Sequence, residues 1–272
     1  MAEDAEPQEK AMPLLGHLVE LRSRLIWCMG GFLVAFFACF FVAEDIFGFL
    51  VEPLGDAMES RQGARMIFTA LHEAFFTYIK VAFFAAAFIC FPLFSIQLWI
   101  FIAPGLYRNE KSAFLPFLLA TPILFVMGGA LVYYFIMPLA WEFFLDFQKP
   151  GEAGALAIEI EPKVDQYLSL VMRLIFAFGV GFELPVVLIL LAKAGIVTSE
   201  GLKAKRRYAV VGVFVVAAIL TPPDVISQIG LAVPILILYE VSIIGARMTE
   251  RKKAKRDAEQ DADPDSGQEP DA

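Results

Sequence analysis

The sequence predicts an all-α membrane protein with six transmembrane helices, kinked and arranged as a concave body. Hydrophobic residues make up 58% of the chain, including 27 Phe, whereas soluble domains are roughly 45 to 50% apolar. Four apolar stretches are long enough to cross a hydrocarbon core of about 30 Å, which takes about 20 helical residues. A further apolar region is divided by two adjacent prolines. Together these observations indicate an integral membrane protein.

The four uninterrupted stretches cover about 25–42, 74–101, 114–135 and 167–192. The divided region, 208–239, contains Thr221-Pro222-Pro223-Asp224, in which the prolines cannot continue a helix and the Asp can cap the next one. We therefore expect helices five and six, both short. With about 14 residues, helix five would be roughly 21 Å long and would thin the bilayer around it. A re-entrant hairpin is the alternative, and it leaves both termini on the same side.

Proline lies inside nearly every predicted span. The prolines are Pro92, Pro116, Pro122, Pro185 and Pro234. Each removes a backbone donor from its helix, so we expect kinked helices with few straight packing seams. This pattern favours a bent, concave body over a tight bundle.

The basic residues indicate which face of the membrane is cytosolic. Most of the 22 Lys and Arg residues fall in loops on one face, together with both termini, and such an excess marks the cytosolic side. The formal charge of −8 comes from the two acidic ends. We expect residues 1–11 and 249–272 to be disordered tails, because they are too polar to bury a core. Residues 12–248 are then the membrane domain.

The chain offers few residues for catalysis. His17 and His72 are its two histidines and are predicted on opposite faces, which argues against a Ser–His dyad or a multi-histidine metal site. The three cysteines lie in or beside spans without metal-ligand spacing, and the sequence has no glycine-rich phosphate loop. We expect neither enzymatic activity nor a cofactor or metal ion.

Two carboxylates, Glu20 and Glu110, are predicted on the cytosolic rim. Glu20 lies beside the apolar stripe of an amphipathic helix that begins near residue 12, and an i,i+4 ion pair with Arg24 is its alternative role. Glu110 can instead occupy the first turn of the next helix after an Asn109 cap. An acidic pair on one rim would bind a cationic ligand, and the spacing alone leaves both alternatives open.

Glu183 lies well inside the fourth predicted span. Inserting an acid at the centre of a membrane helix costs about 2.5 to 3.5 kcal/mol, so such a residue is a functional candidate by default. A buried polar tie to Gln97 or Thr221 is the alternative. Lys80 and Arg173 also fall inside spans, and we expect them to snorkel towards the interface.

Four motifs carry a resemblance to a known family. They are His17-Leu18-Val19-Glu20-Leu21-Arg22; Phe101-Ile102-Ala103-Pro104 with Tyr107 and Glu110; Phe178-Gly179-Val180-Gly181-Phe182-Glu183-Leu184-Pro185; and Leu220-Thr221-Pro222-Pro223-Asp224-Val225 with Ser227 and Gln228. In this order they closely resemble the TatC family, the multi-span core of the twin-arginine protein translocase. The resemblance runs from about residue 12 to residue 247.

The resemblance implies a receptor in the bacterial cytoplasmic (inner) membrane that recognises the Arg-Arg pair in signal peptides of folded precursors, with transport driven by the proton motive force. It assigns signal-peptide binding to Glu20, Glu110, Arg22, Phe101, Tyr107 and Pro53, and an intramembrane groove to Glu183 and Gln97. It assigns docking of the single-span partners TatA and TatB, within a multimeric complex, to Tyr133, Thr221, Gln228 and Asp224. Pro53 and Asp224 match family positions on the far face. Membrane lipid is a further expected contact, and nucleic acid is not expected.

A proton-coupled secondary transporter of a small solute, with Glu183 as its ion site, is the alternative from another class. The sequence shows no pair of matching halves with broken helices, the usual sign of alternating access. A passive membrane scaffold is a third interpretation, and it leaves the cost of burying Glu183 without a reason.

Overall fold

A computed structural model describes residues 14–59, 65–106, 115–148, 160–221 and 225–262. Almost all of these residues are helical, which confirms the all-α class. The helices are α1 Leu14–Phe41, α2 Ala43–Met58, α3 Glu73–Leu106, α4 Leu115–Leu131, α5 Met137–Leu145, α6 Val164–Phe182, α7 Leu184–Lys193, α8 Ser199–Ala204, α9 Arg206–Leu220 and α10 Val225–Ala262. A π-helical segment, Val132–Ile136, joins α4 to α5.

Within the described residues, five segments are long and apolar enough to cross a membrane. They are Leu18–Phe41, Glu73–Phe101, Pro116–Leu145, Val164–Lys193 and Ser227–Lys255. The remaining apolar helix, α9, has 15 residues and is therefore only about 22 Å long. The fifth of the six expected helices is thus short, and it packs against α10.

The prediction of a short sixth helix is wrong. Helix α10 has 38 residues and contains no further proline after Pro234. The segment beyond Tyr239 is rich in Ala, Glu, Lys and Arg, all strong helix formers. The same helix crosses the predicted boundary of the C-terminal tail. Residues 249–262 are helical rather than disordered, and the predicted tail 1–11 lies outside the described residues.

Of the predicted kinks, the one at Pro185 is present as a break, whereas α3, α4 and α10 continue without interruption past Pro92, Pro122 and Pro234. Pro185 cannot donate to the carbonyl of Gly181, and the fourth span accordingly breaks at Glu183, between α6 and α7. Pro138, in the first turn of α5, likewise removes a donor from the third span. The helix there widens into the π-helical segment Val132–Ile136.

Helices α1 and α3 run antiparallel and define the two ends of the protein. The Cys90 thiol lies 3.7 Å from the Gly31 carbonyl oxygen, and the rings of Phe32 and Phe83 are in edge contact at 5.0 Å. The start of α1 and the finish of α3 therefore share one end, here called the Glu20 end. Helix α2 and the start of α3 share the opposite end, here called the Pro53 end.

The core is centred on the contact between α4 and α6, where glycine allows a close approach. A Cβ on Gly128 would lie 2.5 Å from the backbone oxygen of Phe178, and a Cβ on Gly179 would lie 2.5 Å from the Phe125 ring. Phe125 is fully buried and stacks on Phe91 of α3 with ring centroids 3.6 Å apart. Small residues thus let three helices pack closely. In a membrane such close van der Waals packing, rather than the hydrophobic effect, holds helices together.

The part of α10 that extends past the Glu20 end is attached to the short helix α8. The Ser199 backbone N–H donates to the Glu250 carboxylate at 2.6 Å, and the Ser199 hydroxyl donates to the same carboxylate. About three turns nearer the spans, the Tyr239 hydroxyl donates to the Leu202 carbonyl at 2.7 Å. Helices α8 and α10 are therefore held together at two levels.

Candidate functional site

The candidate ligand site at the Glu20 end is built around a carboxylate that already holds a guanidinium. Arg24 donates to Glu20 Oε1 from Nε at 3.1 Å and from Nη2 at 2.5 Å. Its remaining nitrogen, Nη1, donates to Gln97 Oε1 on α3 at 2.9 Å. The i,i+4 pair predicted as the alternative role of Glu20 is therefore present, and it extends to a second helix.

Burial makes this pair stronger than an ordinary surface ion pair. The side chains of Arg24 and Glu20 are only 22% and 28% exposed. Partial desolvation strengthens both the Coulomb attraction and the charge-assisted hydrogen bonds, whereas fully exposed pairs contribute little. The Glu20 environment thus stabilises a guanidinium placed against this carboxylate.

Phe101 lies at the same level as Glu20. It follows Gln97 by one helical turn on α3, and Glu20 precedes Arg24 by one turn on α1, so in antiparallel helices both residues lie one turn beyond the Arg24–Gln97 contact. Phe101 is half-exposed and Arg22 is exposed. Tyr107 and Glu110, the other predicted members of the recognition surface, lie outside the described residues.

Pro53 does not lie near Glu20. It is buried in α2, beyond the far end of α1, and the helix from Glu20 to Phe41 alone spans about 32 Å. Pro53 cannot donate a hydrogen bond to the Phe49 carbonyl one turn earlier. The Tyr133 hydroxyl donates to that carbonyl instead, at 2.7 Å, and the Tyr167 hydroxyl donates to the next carbonyl, Leu50, at 3.0 Å.

Tyr133 is consequently an internal residue. It is 7% exposed, its ring stacks on Phe49 with centroids 4.3 Å apart, and its hydroxyl also lies 3.2 Å from the Glu52 carboxylate. The resemblance assigns Tyr133 to a docking surface for partner helices. In the structure Tyr133 lies in the π-helical segment and packs against α2, where it can support such a surface but offers it no polar group.

The other predicted docking residues surround the junction of α9 and α10. Thr221 is buried and its hydroxyl donates to the Ala217 carbonyl at 2.9 Å. Gln228 is half-exposed and its amide donates to the Phe214 carbonyl at 3.2 Å, which ties α10 to α9. Asp224 lies outside the described residues. Of the described docking residues, Gln228 is the one whose side chain is accessible.

Glu183 lies at the break between α6 and α7 and is 8% exposed. Neither of its carboxylate oxygens has a hydrogen-bond partner among the described residues, and the hydroxyl of the neighbouring Thr121 is also unpaired there. Gln97 accepts from Arg24 at the Glu20 end. Glu183 is therefore enclosed between helices, and the structure ties it to neither Gln97 nor Thr221.

Several polar contacts at the Pro53 end were not predicted. Lys80 of α3 forms an ion pair with Asp165 of α6, and Arg65 donates to the Glu161 carboxylate at 2.6 Å. The pattern of the sequence gives no signal for pairs separated by 85 and 96 residues. Lys80 lies inside a predicted span, and its ion pair with Asp165 explains how its charge is accommodated there.

These features define a multi-span α-helical membrane protein with a half-buried carboxylate, paired with an arginine, at one end. The family model described as Sec-independent protein translocase protein (TatC) matches residues 16–234. A TatC of Magnetococcus marinus is 52% identical over 254 residues, covering 93% of this chain and 91% of the relative. A TatC of Escherichia coli strain K12 is 38% identical over 249 residues, covering 92% and 93%.

Solved structures give the same result. The crystal structure of the twin arginine translocase receptor TatC in DDM matches with a TM-score of 0.73 and 39% identity, covering 84% of this chain and 98% of that one. The chain therefore belongs to the TatC family of Sec-independent protein translocase proteins. Members of this family are components of a protein translocase, and the family is not one of catalytic enzymes. The alternative of a small-solute transporter has no support.

Proposed function

We propose that this chain is the receptor subunit of a twin-arginine translocase, which binds the paired arginines of signal peptides with Glu20 at the cytosolic face of the bacterial cytoplasmic membrane. The observation that carries the proposal is the bond between Glu20 and the Arg24 guanidinium. A half-buried carboxylate that already binds one guanidinium has the charge and surroundings to bind another. Both termini are cytosolic in this proposal, in agreement with the distribution of basic residues.

Binding involves an exchange of partners at Glu20. An arriving arginine competes with Arg24 for the carboxylate, and Arg24 keeps an acceptor at Gln97 Oε1, 2.9 Å away. Gln97 thus reduces the cost of displacing Arg24, since the displaced guanidinium is not left buried and unpaired. Lysine would bind less well, because an ammonium lacks the planar fork that matches a carboxylate.

The second arginine of the peptide is assigned to Glu110. Tyr107 and Phe101 complete the surface, with aromatic rings on which a guanidinium can stack, and Arg22 contributes to its rim. The half-exposure of Phe101, at the level of Glu20, supports its membership. Pro53 has no direct part in binding in this proposal, and it shapes α2 at the other end of the protein.

The partners are single-span TatA-like and TatB-like subunits, which dock at the junction of α9 and α10. Gln228 is the accessible polar group there, and Thr221, Asp224 and Tyr133 maintain the local structure. Transport of the folded precursor draws on the proton motive force. The bilayer is thinned beside α9, because its 15 residues are too few for a core of about 30 Å.

The proposal is tested by photo-crosslinking a labelled twin-arginine peptide to membranes containing the wild-type chain, Glu20→Gln or Glu110→Gln. Loss of a charge-assisted bond predicts a drop of roughly tenfold in labelling for each change. A Lys-Lys peptide is expected to label the wild type as weakly as the twin-arginine peptide labels these two variants. The matched control is Glu44→Gln, which removes an exposed carboxylate at the Pro53 end and is expected to leave labelling unchanged. Equal labelling of all four proteins would exclude this site.

A further inference from the structure

Arg173 is an exposed cation inside a membrane-spanning segment. It lies in the middle of α6, within the span Val164–Lys193, and its side chain is exposed. Among the described residues it has no ion pair or hydrogen bond. A charged group at such a position is costly, and in membrane proteins it marks a functional contact by default. The function proposed above leaves this residue without a role.

An apolar groove begins one helical turn from Arg173. The groove has a volume of about 420 Å³ and lies between α6, α7, α9 and α10. Its lining includes Ala177 and Gly181 of α6 and Gly212, Val216 and Leu220 of α9. Its one hydroxyl group, that of Tyr239, donates to the Leu202 carbonyl. The groove therefore offers a hydrocarbon surface of small and aliphatic side chains.

Arg173 lies one helical turn beyond the groove, on the side of the Pro53 end, towards which α9 runs. Leu220, the last residue of α9, lines the same groove as Ala177, and Arg173 precedes Ala177 by one turn towards the Pro53 end. Side chains on a helix lean towards its N-terminus, which for α6 is the Pro53 end. The guanidinium is thus directed past the end of the shortest span.

The apolar surface ends at different levels on the two sides of α6. On the side facing α3, the Lys80–Asp165 ion pair lies eight residues, or about 12 Å, further towards the Pro53 end than Arg173. On the side facing α9, the apolar surface ends with α9 itself, after about 22 Å of helix. A bilayer that matches α9 must bring its headgroups inwards on that side, to the level of Arg173.

We infer that Arg173 and the groove form a binding site for an anionic phospholipid of the leaflet at the Pro53 end. The guanidinium binds the phosphate through paired charge-assisted hydrogen bonds. One acyl chain lies in the groove along Ala177, Gly181 and Val216. The bound lipid keeps headgroups at the end of α9 and so maintains the thin bilayer there. The assignment does not depend on peptide binding at Glu20.

The test is native mass spectrometry of the delipidated full chain in micelles with equal amounts of phosphatidylglycerol and phosphatidylcholine. The wild type is expected to retain phosphatidylglycerol preferentially. Arg173→Gln is expected to lower that occupancy roughly tenfold, and Arg173→Lys to restore part of it. Gly212→Phe is expected to displace both lipids by filling the groove, because a Cβ at Gly212 meets no atom within 4 Å.

The matched control is Arg65→Gln, which removes the same charge from the same end of the protein and is expected to preserve the preference. Because Arg173 is exposed, its replacement is expected to leave the melting temperature without added lipid unchanged; Arg173→Ala provides a second variant if the first is not recovered. Unchanged phosphatidylglycerol occupancy in folded Arg173 variants would overturn the inference. So would loss of co-purified single-span subunits without loss of lipid, since Arg173 would then bind a partner's carboxylate.

Discussion

The Tyr133 hydroxyl donates a 2.7 Å hydrogen bond to the Phe49 carbonyl, whose usual intrahelical donor is missing because residue 53 is proline. A tyrosine of one helical segment thus replaces a donor that proline removes from another helix. Pro53 leaves the Phe49 carbonyl without its usual donor in α2, and a tyrosine from the π-helical segment supplies one. The relationship explains why both residues matter at the end of the protein remote from Glu20.

Replacing Tyr133 by Phe should therefore destabilise the fold. The ring stack on Phe49 is kept and only the donor is lost, so we expect a loss of about 1 kcal/mol, the typical contribution of one such hydrogen bond. Thermal unfolding in detergent measures it. Tyr134→Phe is the control, since Tyr134 is the exposed neighbour and its change should have little effect. The loss should shrink in a Pro53→Ala background, where the backbone N–H returns; an equal loss in both backgrounds would contradict this explanation.

Replacing Gln97 by Ala should weaken binding of a twin-arginine peptide without removing any predicted peptide contact at Glu20. Arg24 then has no second acceptor when it leaves Glu20, so it competes more strongly for the carboxylate. We expect affinity to fall roughly threefold to tenfold, as measured by fluorescence anisotropy of a labelled peptide. Gln166→Ala, at an exposed position of α6, provides the comparison. Unchanged affinity in the Gln97 variant would mean that Arg24 is not displaced.

Two buried threonines should respond in opposite ways to replacement by valine. Thr121 has an unpaired hydroxyl among the described residues, so Thr121→Val should be neutral or stabilising by up to about 1 kcal/mol. The Thr77 hydroxyl donates to the Glu73 carbonyl at 2.8 Å, so Thr77→Val should be destabilising by about 1 kcal/mol. The melting temperatures of the two variants test both expectations. A clear loss in Thr121→Val would show that its hydroxyl has a partner, such as Glu183 or water.

Replacing Gly128 by Ala should be among the most damaging single-methyl changes in the spans. The added Cβ would lie 2.5 Å from the Phe178 carbonyl oxygen, a backbone atom that cannot move away alone, so we expect a loss of about 1 to 3 kcal/mol from overpacking. Gly230→Ala is the matched control in α10, because its Cβ meets no atom within 4 Å. That change should be neutral or stabilising by up to about 1 kcal/mol. Similar melting temperatures for both variants would refute the close α4–α6 contact.

The features that the sequence predicts correctly are those set by local pattern. Hydropathy locates the spans, Pro185 locates the break at Glu183, and the spacing of Glu20 and Arg24 predicts their ion pair. Helix α9 is short because the Thr221 break and the basic turn before Arg206 bound it on both sides. In each case the cause lies within a few residues of the effect.

The features that the sequence does not predict depend on contacts between distant segments. Nothing near Tyr133 indicates that its partner is a carbonyl 84 residues earlier, and nothing near Lys80 indicates Asp165. The length of α10 was underestimated for another reason. Hydropathy reports where apolar residues end, whereas Ala, Glu, Lys and Arg continue the helix beyond that point.

Helix α10 connects the spans to the part of the protein beyond the Glu20 end in one continuous helix. Its 38 residues make a rod of about 57 Å, nearly twice the thickness of a bilayer core, and Pro234 removes one backbone donor from it. Because Glu250 clamps the outer arm to α8, a small tilt of the inner arm would swing the outer arm and α8 together. A displacement among the spans would thus be magnified at the Glu20 end, where the proposed function places precursor binding.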